Sequence, residues 1–310
     1  MTGQRIRTMA VDVIIKEVAP RDGLQAQPKH LTLEQRQQLI EELAVTGLTE
    51  LEIGSFVSPK AVPQMAGTDV LASQLPAQPL DYSALVPNLK GYQLARAAGI
   101  NTMAIAVAAT EQMNQANIRM SLEQTFAMAD ELLASARADG SAVHAYLAVA
   151  FECPFEGKVD PAVVLSQARH LMAQEPARLV IADTIGAANP RDVKALMSAL
   201  VAEFGPERLG CHFHDTRAMG LANVYAALEA GIVQFDSAAG GLGGCPFAPG
   251  AKGNVATEDV VLLCESMGLN TGVSMPALLS AVASLSDMIG APQGGRAHYW
   301  LSNNSNRCAS

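Results

Sequence analysis

Aromatic residues are scarce in this chain, 5% of positions with a single tryptophan, so its interior is not built around large rings. The five cysteines (Cys153, Cys211, Cys245, Cys264 and Cys308) show no paired spacing. At 310 residues the chain can bury a core without covalent staples, and free thiols in a reducing cytoplasm are expected. No uncharged apolar run reaches the roughly 18 residues that a membrane-spanning helix needs. The segment Met1–Ala10 carries Arg5 and Arg7 but no apolar core and no cleavage site, so a secretory leader is not expected. Cations are also short, 21 against 30 acidic residues, for a formal charge of −9. That balance argues against a nucleic-acid partner. It leaves room for a small anionic ligand held by a few local lysines and backbone amides.

What the chain does have is apolar material, 49% of positions, arranged in short runs separated by longer helical intervals. Eight runs rich in Val and Ile read as strands: 11–18, 50–53, 82–86, 102–107, 143–149, 179–182, 209–214 and 233–237. The helix starts are well marked. Thr32-Leu33-Glu34-Gln35 and Ser121-Leu122-Glu123-Gln124 have the form of capping boxes. Asp160-Pro161 and Asn189-Pro190 each set an N-cap residue before a proline at the first helical position. Strands alternating with helices call for a parallel sheet. Eight repeats without a break in composition favour a closed (β/α)8 TIM barrel over an open doubly wound sheet. No Gly-x-Gly-x-x-Gly follows the first strand, which disfavours a dinucleotide fold. The expected layout is a single domain over 1–310, with the barrel at about 11–253. Additional C-terminal helices follow at about 254–290, then a polar, glycine-rich and poorly ordered tail at 291–310.

In such a barrel, chemistry sits at the C-terminal ends of the strands and in the loops that follow. The unusual polar residues fall there. The first strand runs into Pro20-Arg21-Asp22-Gly23, the second carries Glu52, the sixth ends in Asp183, and the seventh ends in His212-Phe213-His214-Asp215. His212 and His214 are two apart, so on a strand their side chains leave on one face. Asp22 and Asn254 would complete a mixed nitrogen and oxygen donor set, suited to Mg²⁺ or Mn²⁺ rather than to a structural zinc ion. Taken alone, a His-x-His at a strand end is as readily a hydrogen-bonded pair. Arg21 has two readings, a cation holding a developing enolate or carboxylate oxygen and a salt bridge to Glu52. Asp183 reads as a supporting or structural carboxylate. Cys245 lies among Gly240, Gly241, Gly243 and Gly244, in a loop able to fold over a ligand and bring a thiol with it. Cys211 and Cys264 look like core residues, and His30, His144, His170 and His298 have no evident companions.

Several motifs resemble the 3-hydroxy-3-methylglutaryl-CoA lyases. They are Pro20-Arg21-Asp22-Gly23-Leu24-Gln25, Ser55-Phe56-Val57-Ser58-Pro59-Lys60, Val86-Pro87-Asn88-Leu89-Lys90-Gly91, Cys153-Pro154-Phe155-Glu156-Gly157-Lys158, His212-Phe213-His214-Asp215-Thr216 and Gly241-Leu242-Gly243-Gly244-Cys245-Pro246. The resemblance runs in order from about residue 12 to 275. It implies a TIM barrel that cleaves 3-hydroxy-3-methylglutaryl-CoA, or a close analogue, to acetyl-CoA and a keto acid. The alternatives within the same superfamily are a 2-oxo-acid aldolase or Claisen-type synthase, and a paralog specific for a longer or citramalyl-type ester. Carried over position by position, Asp22, His212, His214 and Asn254 would hold a divalent metal, and Asp22 and His212 would also belong to the catalytic set. Arg21 would stabilise the enolate, Glu52 would orient the metal site and Arg21, Cys245 would be a loop thiol near the carbanion, and Gln25 would line the substrate site. The family also implies a homodimer. Four departures from its pattern bear on the acyl group accepted: Arg217-Ala218 in place of Tyr-Gly, Phe213 in place of a small residue, Glu152 in place of glycine, and Ala19 in place of the glycine before Pro20.

Overall fold

The computed structural model describes residues 11–244 and 252–304. Eight strands form a closed barrel: β1 (Ile14–Glu17), β2 (Glu50–Ser55), β3 (Asp81–Leu85), β4 (Thr102–Ala108), β5 (Ala142–Ala148), β6 (Arg178–Asp183), β7 (Leu209–Phe213) and β8 (Gln234–Ser237). Each pairs in parallel with its sequence neighbours, and β8 closes on β1. Every strand coincides with one of the eight runs expected from the sequence.

The helices α1 (Leu33–Ala44), α2 (Thr68–Ala72), α3 (Leu89–Ala97), α4 (Glu111–Ile118), α5 (Leu122–Asp139), α6 (Pro161–Ala173), α7 (Pro190–Phe204) and α8 (Gly220–Glu229) return the chain between strands. Both capping boxes form, with Thr32 and Ser121 accepting from the backbone N–H of Gln35 and Gln124. Asp160 and Asn189 cap α6 and α7 as their sequence implied. The main hydrophobic core lies between barrel and helices. It takes the outward residues of the strands, among them Ile15, Leu51, Ile53, Ile105, Leu147, Ile181 and Cys211, against Leu39, Leu132, Leu171, Leu196 and Val224 from the helices.

The barrel interior is different. A small apolar layer of Ala104, Tyr146 and Val180 shares it with buried Lys16, Glu50, Glu52, His144, Arg178, His212 and Asp236. Arg178 donates from both terminal nitrogens to Glu50 at 2.7 Å, closing one level of the interior with a bidentate pair. Branched aliphatic side chains usually fill this space. Buried charges persist only when paired: Arg178 and Glu50 pair with each other, while Lys16, Glu52, His212 and Asp236 lie within a network that reaches the mouth.

Beyond β8 come α9 (Thr257–Ser266), α10 (Met275–Ile289) and α11 (His298–Asn304). The expectation of a poorly ordered tail fails over 291–304. Leu301 is fully buried, and the backbone of 294–297 is tied to β8-loop and α9 groups by hydrogen bonds. Composition alone cannot show this, because the order comes from contacts distant in sequence.

Candidate metal centre and active site

A single turn of π-helix, Ala19–Gly23, follows β1 directly. The N–H groups of Arg21, Asp22 and Gly23 all point at the Val18 carbonyl, at 3.1, 2.8 and 3.2 Å. Such wide turns aim side chains that an α-helical turn would not, and they are frequent at functional sites. This one swings Arg21 into the barrel mouth, 8% exposed. Asp22 faces the end of β7.

On β7 the alternation places His212 and His214 on the inner face, both buried. Their Nε2 atoms lie 3.2 Å apart. The Asp22 carboxylate is 3.9 Å from His214 Nε2, and one donor atom from each of Asp22, His212 and His214 fits within 4.8 Å. Asn254 reaches them because 213–216 and 252–255 pair locally. His214 and Asn254 form an antiparallel bridge, with Val255 N–H on the Phe213 carbonyl at 2.9 Å and Asp215 N–H on the Gly253 carbonyl at 3.0 Å. The Asn254 amide nitrogen donates to Asp22 Oδ2 at 2.8 Å and to the Leu242 carbonyl at 3.0 Å, leaving Oδ1 buried without a partner. A buried acceptor with no donor is costly unless something positive meets it. The donor set is two imidazoles, a carboxylate and an amide oxygen, without thiolate. These residues fit a hard divalent cation.

The groups behind this cluster fix its geometry. Arg21 ion-pairs through Nε with Glu52 and through a terminal nitrogen with Asp22. Glu52 is fully buried and its other oxygen is 3.6 Å from Lys16 Nζ. Lys16 donates to Tyr146 Oη at 3.1 Å, Tyr146 donates to Asp236 Oδ2 at 2.7 Å, and the same oxygen is 3.1 Å from His212 Nδ1. One chain of contacts thus runs from Arg21 across the barrel to His212.

The electrostatics follow from burial and this network. Burial works against ionisation of Asp22, but Arg21 and then the two histidines outweigh it and hold the carboxyl far below its usual range. For His214, burial and the neighbouring His212 both disfavour a proton, and its pKa drops to about 4. Burial also opposes a charge on His212, but Asp236 overcomes it and pushes that ring up. Asp183 is raised to about 6 by burial, against the Ala187 and Ala188 N–H groups that its carboxylate accepts at 2.8 and 3.0 Å. Its role is to hold the turn after β6.

The structure therefore brings Arg21, Asp22, Glu52, His212, His214 and Asn254 together. Gln25 is half-buried with an unpaired Oε1 and adds no contact to the cluster. Cys245 lies outside the described residues. Lys16, Tyr146 and Asp236 went unnoticed in the sequence. Their signal was a polar residue at an inward position of a strand. Cys211 and Cys264 are buried as expected. Of the four other histidines, His30 is exposed and His144 is buried. His170 pairs with Asp130 at 2.9 Å, and His298 Nδ1 lies 3.7 Å from Glu258, so these two do have companions.

Two of the four departures from the family pattern lie away from the mouth. Phe213 points outward, 1% exposed, into the core between barrel and helices, as strand alternation between His212 and His214 requires. Ala19 is buried in that core as well. The other two meet each other. Arg217, after β7, donates to Glu152, after β5, at 2.9 Å. Ala218 adopts φ +59°, a conformation that glycine takes without cost.

Known proteins resemble this chain along most of its length. The HMGL-like family model matches residues 12–285. A hydroxymethylglutaryl-CoA lyase of Pseudomonas mevalonii is 40% identical over 296 residues, 95% of this chain and 98% of that protein. The chain belongs to the HMGL-like family. An (R)-citramalyl-CoA lyase of Chloroflexus aurantiacus is also 40% identical, over 90% of this chain and 92% of its own. Among solved structures, an HMG-CoA lyase from Acinetobacter baumannii in complex with coenzyme A and 3-methylmalate superposes with a TM-score of 0.89 at 38% identity, covering 94% of each chain. HMGL-like relatives at this identity therefore include proteins named for two different acyl-CoA esters.

Proposed function

We propose that this chain is a divalent-metal-dependent carbon–carbon lyase that cleaves 3-hydroxy-3-methylglutaryl-CoA, or a close 3-hydroxyacyl-CoA analogue, to acetyl-CoA and a keto acid. One observation carries the reading. Asp22, His212, His214 and the orphaned Asn254 oxygen converge beside a permanently charged guanidinium. The family and its lyase relatives supply the reaction class.

These four residues would hold Mg²⁺ or Mn²⁺. Bound there, the cation lowers the pKa of a hydroxyl group it meets and polarises a carbonyl oxygen. The rest falls to the protein. Asp22 is our proposed acceptor of the C3 hydroxyl proton, and His212, with Nδ1 on Asp236 and Nε2 turned to the ligand cluster, would serve the reaction through its place in that cluster. As that proton leaves, the oxygen lone pair forms the ketone, the C2–C3 bond breaks, and its electrons pass into the thioester enolate. Arg21 faces that developing charge and cannot lose its own proton, because Glu52 and Asp22 hold it ionised. Glu52 and Lys16 keep the guanidinium in place. A proton delivered to C2 completes acetyl-CoA, and the Cys245 thiol is our proposed source. Gln25 is our proposed lining residue for the substrate.

The chain works as one catalytic domain over 1–310, as a homodimer, in the cytoplasm. Its three described cysteines are free, and among the described residues no helix is long and apolar enough to cross a membrane.

A coupled assay for acetyl-CoA release from 3-hydroxy-3-methylglutaryl-CoA, with and without Mn²⁺, tests the activity. The (R)-citramalyl ester belongs in the same assay, because an equally similar relative is named for it. Turnover of neither ester nor a longer analogue, beside condensation of acetyl-CoA with a 2-oxo acid, would replace this reading with that of a synthase.

A further inference from the structure

We infer that Arg296, in the segment before α11, is a positioning residue for the two loops that carry His214 and Asn254. The inference rests on the reading of those residues as metal ligands.

Asp215 directly follows His214, and its carboxylate is shared between two tasks. Oδ1 accepts from Gly220 N–H at the start of α8, at 2.9 Å. Oδ2 accepts from Nε of Arg296 at 2.8 Å, and Nη2 of the same guanidinium lies 2.8 Å from it as an ion pair. The backbone of the same residue donates to the Gly253 carbonyl, and Thr216 Oγ1 donates to the Lys252 carbonyl at 3.2 Å. Asp215 is therefore the point where the β7 loop, the first turn of α8 and the strand-like segment bearing Asn254 meet. Arg296 is the side chain that clamps it from outside.

Arg296 is itself anchored to the other loop. Its N–H donates to Asp259 Oδ2 at 2.6 Å, and Ala297 N–H donates to Oδ1 of the same residue at 2.9 Å. Gly295 N–H donates to Glu258 Oε1 at 2.7 Å, while Glu258 Oε2 accepts from Gly240 N–H at 3.1 Å. Gly294 N–H adds a bond to the Gly240 carbonyl at 3.1 Å. Asp259 and Glu258 begin α9, a few residues after Asn254, and Gly240 starts the glycine-rich loop. The approach is close: a Cβ on Gly295 would lie 2.6 Å from the Ala256 Cβ and 2.5 Å from Asp259 Oδ2. The segment 294–297 thus ties the roots of both ligand-bearing loops to one rigid helix start.

Magnitude separates positioning from bulk stability. The Arg296 side chain is 49% exposed and that of Asp215 17%, and a partly exposed ion pair adds little to global stability. Its effect is on how tightly the 213–216 and 252–255 pairing is held. Groups that orient metal ligands from outside change metal affinity by roughly 10–100-fold when removed.

The test uses the full chain and its Arg296→Ala and Arg296→Lys variants. In the metal-free protein, hydrogen exchange read by mass spectrometry should quicken at residues 214–222 and 252–256 in the alanine variant and nowhere in β2–β5. The melting temperature should stay within about 2 °C of wild type, as expected of a surface substitution. Mn²⁺ affinity should fall by about tenfold, and Arg296→Lys should recover most of it. Unchanged exchange in those two segments, or acceleration spread over the whole barrel, would overturn the inference. If wild type binds no Mn²⁺ while the exchange pattern still responds, the metal reading fails and the clamp stands.

Discussion

Asp236 Oδ2 lies 3.1 Å from His212 Nδ1, and the opposite ring nitrogen of His212 faces His214. The carboxylate also accepts from Tyr146, so it is fixed before it fixes the imidazole. A carboxylate on the far nitrogen sets the tautomer of a ligating histidine and makes it a better donor. Asp236→Asn keeps the shape and loses the charge. Mn²⁺ affinity should drop by about 10–100-fold, measured by calorimetry on the metal-free protein. Affinity unchanged within twofold would mean that His212 needs no such orientation.

Arg21 separates charge stabilisation from metal binding. Arg21→Gln should lower kcat by about 10²–10³-fold, the usual loss for one donor at a developing oxyanion. Its removal also takes a positive charge away from a cation site, so Mn²⁺ should bind no more weakly. Glu52 is left buried with only Lys16 nearby, so the melting temperature should fall as well. Weaker Mn²⁺ binding alongside the lost turnover would make Arg21 a structural member of the metal site instead.

Glu17 supplies a pH signature of the fold. It is fully buried on the outer side of β1, where it accepts from the N–H groups of Ala19 and Ala239 and from Thr257 Oγ1. Burial raises its pKa from 4.5 to about 7, against those hydrogen bonds. A carboxyl whose folded pKa is raised stabilises the fold at low pH. That contribution is complete below about 4.5 and is lost as pH climbs to about 7. Glu17→Gln removes this dependence, and its amide can donate to Thr257 because Ser237 Oγ lies 2.8 Å from that hydroxyl. Urea midpoints at pH 5 and pH 8 should show the variant gaining on wild type at the higher pH. Parallel profiles, or a gain in the other direction, would refute it.

The Arg217–Glu152 pair spans the loops after β5 and β7, and it unites two of the departures from the family pattern. The loop after β6 packs against Thr216, next to this pair in the chain, since a Cβ on Gly186 would fall 2.7 Å from the Thr216 side chain. Breaking the pair with Arg217→Ala should shift the kcat/KM ratio toward esters with bulkier acyl groups by about tenfold, the scale of pocket-shape discrimination. Both values falling together with the ratio fixed would remove this pair from specificity.

Much of this was readable before any fold was seen. The eight strands and four helix caps are local signals, carried by β-branched runs and by residues such as Thr32 and Asn189. Asp22, His212, His214 and Asn254 could be grouped because a barrel places all strand ends at one mouth. Other features depend on contacts between distant residues. Lys16, Tyr146 and Asp236 look like isolated polar residues until the closed barrel sets them across from one another. The segment 291–304 looks unstructured because its order comes from contacts with distant residues such as Asp215, Glu258 and Asp259. Phe213 was misread as a pocket residue, although alternation between two inward histidines already placed it outward.

Titration of the metal-free protein with Mn²⁺, beside Asp22→Ala and His214→Ala, tests the central claim most directly. The account predicts one ion per wild-type chain and the loss of that site in both variants, with the barrel still folded. No stoichiometric binding to wild type, or full retention of it in His214→Ala, would contradict the metal centre on which the proposed lyase depends.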